Sequence, residues 1–165
     1  MSVEIIDLHL HGRGEVIIRE AERAGIKLPL ACALVQQESG GRNLFGADHG
    51  PENTWTPPFY RIPVTWERVQ MLLQHIDEGG GSNGVGLSQL TYPPLIREAE
   101  ALGGAHLPRY QLRVGFRVLR DYLDIYPLRK AIGAYNGGPS NPQYDYADEV
   151  LAKRDEWRKR LAWDT

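Results

Sequence analysis

A mainly α-helical domain of about seven helices, with little or no β-sheet, is the fold this sequence predicts. Apolar residues recur at three- and four-residue spacing along most of the chain, and Pro and Gly punctuate the segments so formed. The bulk composition agrees: 165 residues, 42% hydrophobic and 24% charged, suit one soluble globular domain spanning residues 1–165. A formal charge of −2 supplies no basic footprint for phosphates, so nucleic acid is not an expected partner.

The opening stretch, MSVEIIDLHLHGRGE, reads as a polar extension and lacks the basic and apolar regions of an export signal. Val16, Ile17, Ile18, Ala21 and Ala24 then form the stripe of a first helix, Glu15–Ala24, which Gly25 ends by adopting a left-handed conformation. Pro29 opens LPLACALVQQES, whose run Leu30–Val35 is the densest apolar segment and belongs in the core. Glu38 falls at the end of that helix, just before Gly40 and Gly41, and so should emerge at the wall of a cleft.

Residues 42–63 hold Pro51, Pro57, Pro58 and Pro63 with little periodicity, a long loop of the kind that is usually functional. Thr65 caps a helix Trp66–Asp77, which Gly79, Gly80 and Gly81 terminate. After the irregular piece Gly84–Leu90, Pro93 starts a helix to about Leu102. Leu112, Phe116, Leu119 and Leu123 mark a helix Tyr110–Tyr126, Pro127 breaks it, and a further helix runs from Leu128 to Tyr135. Asn141-Pro142 begins the last, with Ala147, Val150, Leu151, Trp157 and Leu161 on its apolar side. No window approaches the roughly 20 apolar residues of a membrane span, so no membrane insertion is expected.

Three motifs carry chemistry. In Glu38-Ser39-Gly40-Gly41 an apolar helix desolvates a carboxyl, which raises its pKa toward that of a general acid near neutral pH. In Gly86-Leu87-Ser88-Gln89 glycines at 84 and 86 let the chain turn closely while the Gln89 amide can hold a hydroxyl or acetamido group. In Ala134-Tyr135-Asn136-Gly137 a phenol and an amide sit at the last turn of a helix. Each alone has an ordinary structural explanation: a helix end, a turn and a cap.

Together and in this order they resemble the signature of the soluble lytic transglycosylase and goose-type lysozyme superfamily, over roughly residues 26 to 151. The resemblance implies the lysozyme-like helical fold and cleavage of peptidoglycan glycan strands between N-acetylmuramic acid and N-acetylglucosamine. It implies Glu38 as acid/base, with Ser39, Gln89, Asn136, Tyr135 and Tyr146 at the sugar site. Tyr146 follows Tyr135 closely for the family, so Tyr144 is an alternative for its role. Glu38 and Gln89 lie 51 residues apart, which implies an insertion at about 42–83 bordering the cleft.

Transglycosylation to 1,6-anhydro products is favoured slightly by the Tyr-Asn-Gly motif. The alternative is a goose-type muramidase in which Asp48, ten residues after Glu38, serves as second carboxylate. The stretch from Glu38 to Gly50 is also similar to lysins of actinobacterial phages. That similarity implies a monomeric endolysin held in the host cytoplasm until lysis and then acting on the cell wall. No cofactor or metal is expected. A zinc site on Asp7, His9 and His11 with His49 or His106, and a Cys32–His49 thiol pair, are less favoured routes to an amidase or peptidase. A glycan-binding module without activity, using Trp55, Tyr60 and Trp66, is the remaining alternative.

Overall fold

In the computed structural model, which describes residues 2–47 and 59–162, eight helices occur and β-structure is confined to isolated bridges. The helices are α1 (Ser2–His9), α2 (Gly14–Ala24), α3 (Leu28–Glu38), α4 (Trp66–Asp77), α5 (Pro93–Leu102), α6 (Pro108–Ile125), α7 (Leu128–Gly137) and α8 (Tyr144–Arg160). The seven expected helices are all present with small shifts at their ends. The eighth, α1, replaces the expected polar extension. Its reason is a pair of apolar residues four apart, Ile6 and Leu10, both fully buried. Asp7 accepts a hydrogen bond from the Gly14 N–H at 2.6 Å and so caps α2. Gly14 is needed there, because a Cβ would lie 2.6 Å from the Val3 carbonyl oxygen.

Two apolar cores follow. The first surrounds α3, whose residues 28–35 are all buried, and is completed by α1, α2, α6, α7 and α8. Trp157 on α8 is fully buried and donates its indole N–H to the Gln36 Oε1 at 2.8 Å, which fixes α8 against α3. Burying each large side chain of this kind contributes about 1.5–3 kcal/mol. The second core is smaller and less regular. Phe45 stacks on Phe59 at 4.7 Å between ring centres, with Val64, Leu72 of α4, Val85, Leu90 and Ile96 of α5 around them. Thr65 caps α4 as expected, accepting from the Arg68 N–H at 3.3 Å.

Helix α6 is the wall between the two cores: Leu112, Phe116 and Leu119 enter the first, and Val114 enters the second. The Glu20 carboxylate, fully buried on α2, is gripped by the Arg113 guanidinium at 2.9 and 3.0 Å, tying α2 to α6. Among the described residues no helix is long and apolar enough to cross a membrane.

Candidate functional site

Glu38 is the last residue of α3, at the point where the buried helix reaches the surface between the two cores. Gly40 and Gly41 follow with φ of +61° and +83°, conformations that favour glycine. A Cβ on Gly41 would meet the Leu10 backbone at 2.6 Å, so the chain turns away from Glu38 by passing directly against the end of α1. Glu38 is half-buried, and the Tyr146 phenol of α8 donates to its Oε1. Tyr146, not Tyr144, reaches the carboxyl: Tyr144 is exposed and carries the Arg129 guanidinium over its ring at 4.5 Å.

The three motifs meet here through backbone contacts. Ser39 donates to the Leu87 carbonyl at 2.9 Å, and Tyr135 donates to the Ser88 carbonyl at 2.8 Å. The Gly86–Gln89 segment is therefore clamped between the ends of α3 and α7. Gln111 of α6 holds it from beneath, its Oε1 accepting from the Leu87 N–H at 2.9 Å and its carbonyl accepting from the Ser88 hydroxyl at 2.7 Å. Gly86 has a φ of +73°, and a Cβ there would fall 1.9 Å from the Gln111 Oε1. The close turn expected of this motif is thus imposed by Gln111.

Gln89 itself has a φ of +49°, which is uncommon for a residue with a side chain and is sustained by its contacts. Its Nε2 donates to the carbonyls of Gly86 at 2.9 Å and Leu44 at 3.1 Å, so both amide hydrogens are engaged inside the protein. Its Oε1 lies against Gly46 and Gly84, where added Cβ atoms would approach to 2.4 and 2.2 Å. Ser39 likewise spends its hydroxyl on the fold. Both residues line cavities, yet the geometry makes them holders of the loop more than donors to a bound molecule.

Two cavities share Glu38 and Gln89. The larger, about 730 Å³, runs past Tyr92, Tyr122, Tyr135 and Asn136. The smaller, about 570 Å³, runs past Gln37, Arg42, Phe45 and Arg61. They form two arms of one cleft with Glu38 at the junction. Asn136 is exposed in the larger arm. Burial, and then the charge of Glu38, push the phenols of Tyr135 and Tyr146 well above the usual tyrosine range. Both rings therefore stay protonated and remain donors. A half-buried carboxyl held by such a donor at the centre of a cleft can pass a proton to an oxygen bound beside it.

Asp48, His49 and Trp55 are outside the described residues. Tyr60 and Trp66 line neither arm, and α4 contributes nothing to them; it closes the second core instead. Of the stretch expected to border the cleft, Arg42, Leu44–Ala47, Arg61 and Ser82 do so. Among the described residues no three His, Cys, Asp or Glu side chains converge on a metal position. His9 packs its edge on Trp157, and His11 accepts from Arg42 at 3.2 Å. Cys32 is fully buried in the first core, and burial pushes its thiol up to about 12.

The residues that sequence reasoning missed share one face of α6. Gln111, Gly115, Val118 and Tyr122 follow helical spacing and form the floor beneath the Gly86–Gln89 loop and the larger arm. The signal was a glutamine and a glycine four apart inside an otherwise apolar stripe. A Cβ on Gly115 would in fact lie 2.6 Å from that of Ser88. No protein-family model matches the chain, and no curated protein matches it.

Proposed function

We propose that this chain cleaves peptidoglycan glycan strands between N-acetylmuramic acid and N-acetylglucosamine by lytic transglycosylation, as a member of the soluble lytic transglycosylase and goose-type lysozyme superfamily. The observation that carries the reading is Glu38 at the junction of the two cleft arms with the Tyr146 phenol on its carboxyl. The clamping of all three motifs about that point supports it.

In this reading Glu38 protonates the glycosidic oxygen, and the bond from that oxygen to the muramic C1 breaks as positive charge develops on the ring. The C6 hydroxyl of the same sugar attacks C1 and returns its proton to the Glu38 carboxylate, closing a 1,6-anhydro ring and regenerating the acid. Tyr146 fixes the carboxyl's orientation, Tyr135 holds the loop that carries Gln89, and Asn136 contacts the glycan from the larger arm. The similarity of the Glu38–Gly50 stretch to phage lysins supports a role as an endolysin that reaches the wall from the host cytoplasm at lysis.

Hydrolysis is the second reading. Its second carboxylate would be Asp48, which follows Ala47 in the sequence. One digestion separates the readings. Purified peptidoglycan is treated with the wild type and with Glu38→Gln, and the muropeptides are weighed before and after borohydride reduction. Anhydro ends, which resist reduction and weigh one water less, are expected, with the variant slower by about 10²–10⁴-fold. Reducible muramic ends would establish the muramidase instead. Full activity in Glu38→Gln, or cuts only in peptide, would overturn both.

A further inference from the structure

At the opposite end of α3 from Glu38, about 15 Å along the helix axis, a second cavity of about 470 Å³ opens between the α2–α3 turn, the end of α6, the start of α7 and the last turns of α8. Its lining has two chemistries. Ile26, Leu30, Leu123 and Leu128 are apolar, whereas Lys27, Arg120, Arg154 and Arg158 bring four cations, and among the described residues the lining holds no carboxylate.

The nearby carboxylates compensate only part of this charge. Asp124 accepts from the Arg120 Nη2 at 2.5 Å. Asp155 accepts from Arg154 at 2.7 Å and stands 4.0 Å from Arg158. Among the described residues, two carboxylates thus face four cations. Arg120 Nη1 donates to the Gly25 carbonyl at 3.4 Å, and its buried Nε meets no acceptor among the described residues. Beside the opening, Ile125 and Leu128 are exposed, at 69% and 38%.

We infer that this cavity binds an anionic amphiphile, with a phosphate head among the four cations and an apolar chain along Ile26, Leu30 and Leu128. Guanidinium groups suit phosphate because their donors are fixed in a plane and grip two oxygens at once. A free phosphate would leave the apolar wall unused, and an uncharged lipid would leave the cations unused. The combination selects a phospholipid-type ligand of small size, within the range of volumes that small-molecule sites occupy.

The test is a titration of the isotope-labelled protein, followed by amide resonances, with dihexanoyl phosphatidic acid below its micelle concentration. Inorganic phosphate and dihexanoyl phosphatidylcholine are run alongside. Saturable shifts confined to residues 25–30, 120–128 and 154–158 are expected. Binding should be at least about ten-fold tighter than for either comparison ligand, and should weaken with salt. The double variant Lys27→Glu/Arg158→Glu, both sites on the surface, should lose about ten-fold or more while its remaining spectrum is unchanged. Equal binding of inorganic phosphate would overturn the amphiphile in favour of a free anion. Equal binding of phosphatidylcholine would overturn the charge recognition. Absence of shifts, or shifts centred on Glu38, would overturn the site.

Discussion

The two cores of this protein are built by different means. In the first, five helices close around α3, and nearly all of the binding comes from apolar side chains at helical spacing. In the second, α4 and α5 meet loop residues whose backbone is irregular, and polar side chains carry the connections. Buried Asn83 donates to the carbonyls of Gly46 and Phe59, while Gln111 donates to Asn43 Oδ1 and the Ala105 carbonyl, both at 2.8 Å. Helical segments satisfy their own backbone groups, whereas a loop packed inside a protein needs side-chain partners. The cleft lies where one kind of structure meets the other. Glu38 comes from the regular region, which fixes it, and Gln89 from the irregular one, which shapes the space around it.

The difference can be broken from either side. Trp157→Ala should give the largest effect, a loss of about 3–5 kcal/mol in chemical denaturation, because it leaves a cavity at the α3–α8 contact and strips Gln36 of its donor. A loss below about 1 kcal/mol would mean that α8 is not a structural partner of α3.

Gly86→Ala should cost less, about 2–4 kcal/mol, since it adds a left-handed strain and a collision with the Gln111 amide. Its effect should also be local. Hydrogen exchange should quicken at Gly46, Val85 and Leu90, whose amide bonds hold the second region together, and leave α3 and α8 protected. Uniform acceleration along the chain would show instead that the two regions open as one.

The smallest effect at neutral pH concerns Cys32. Its folded pKa is raised from 9.0 to about 12. The native state therefore holds its proton more tightly than the unfolded one does. This contribution to stability is fully present below about pH 9 and is lost as pH rises from there toward about 12. Denaturation of the wild type and of Cys32→Ala, compared at about pH 8 and above pH 9, should show the wild type losing more. In the native protein a disulfide reagent should leave the thiol untouched at about pH 8. Rapid labelling without unfolding would place Cys32 outside the core.

Much of the molecule was legible in the chain itself. Pro29, Pro93 and Pro127 bound helices, Thr65 caps one, and Gly25 ends one with a φ of +66°. These are local effects of φ restriction and orphaned N–H groups, so neighbouring residues suffice to reveal them. Helix α1 is not legible in the sequence because Ile6 and Leu10 stand among the polar Asp7, His9 and His11, and their burial depends on contacts from other helices.

The order of Glu38, Gln89 and Tyr135 along the chain pointed to one place without saying how the place is made. Side-chain chemistry identifies a carboxyl, an amide and a phenol as useful groups, but the partners of the phenol and the carboxyl lie 47 and 108 residues away, in the Tyr135–Ser88 and Tyr146–Glu38 contacts. Only the folded chain decides that Gln89 turns its donors inward, that Tyr146 and not Tyr144 meets Glu38, and that a face of α6 forms the floor. Helix periodicity is a property of adjacent residues. The direction in which a polar side chain spends its hydrogen bonds is a property of whatever the fold sets beside it.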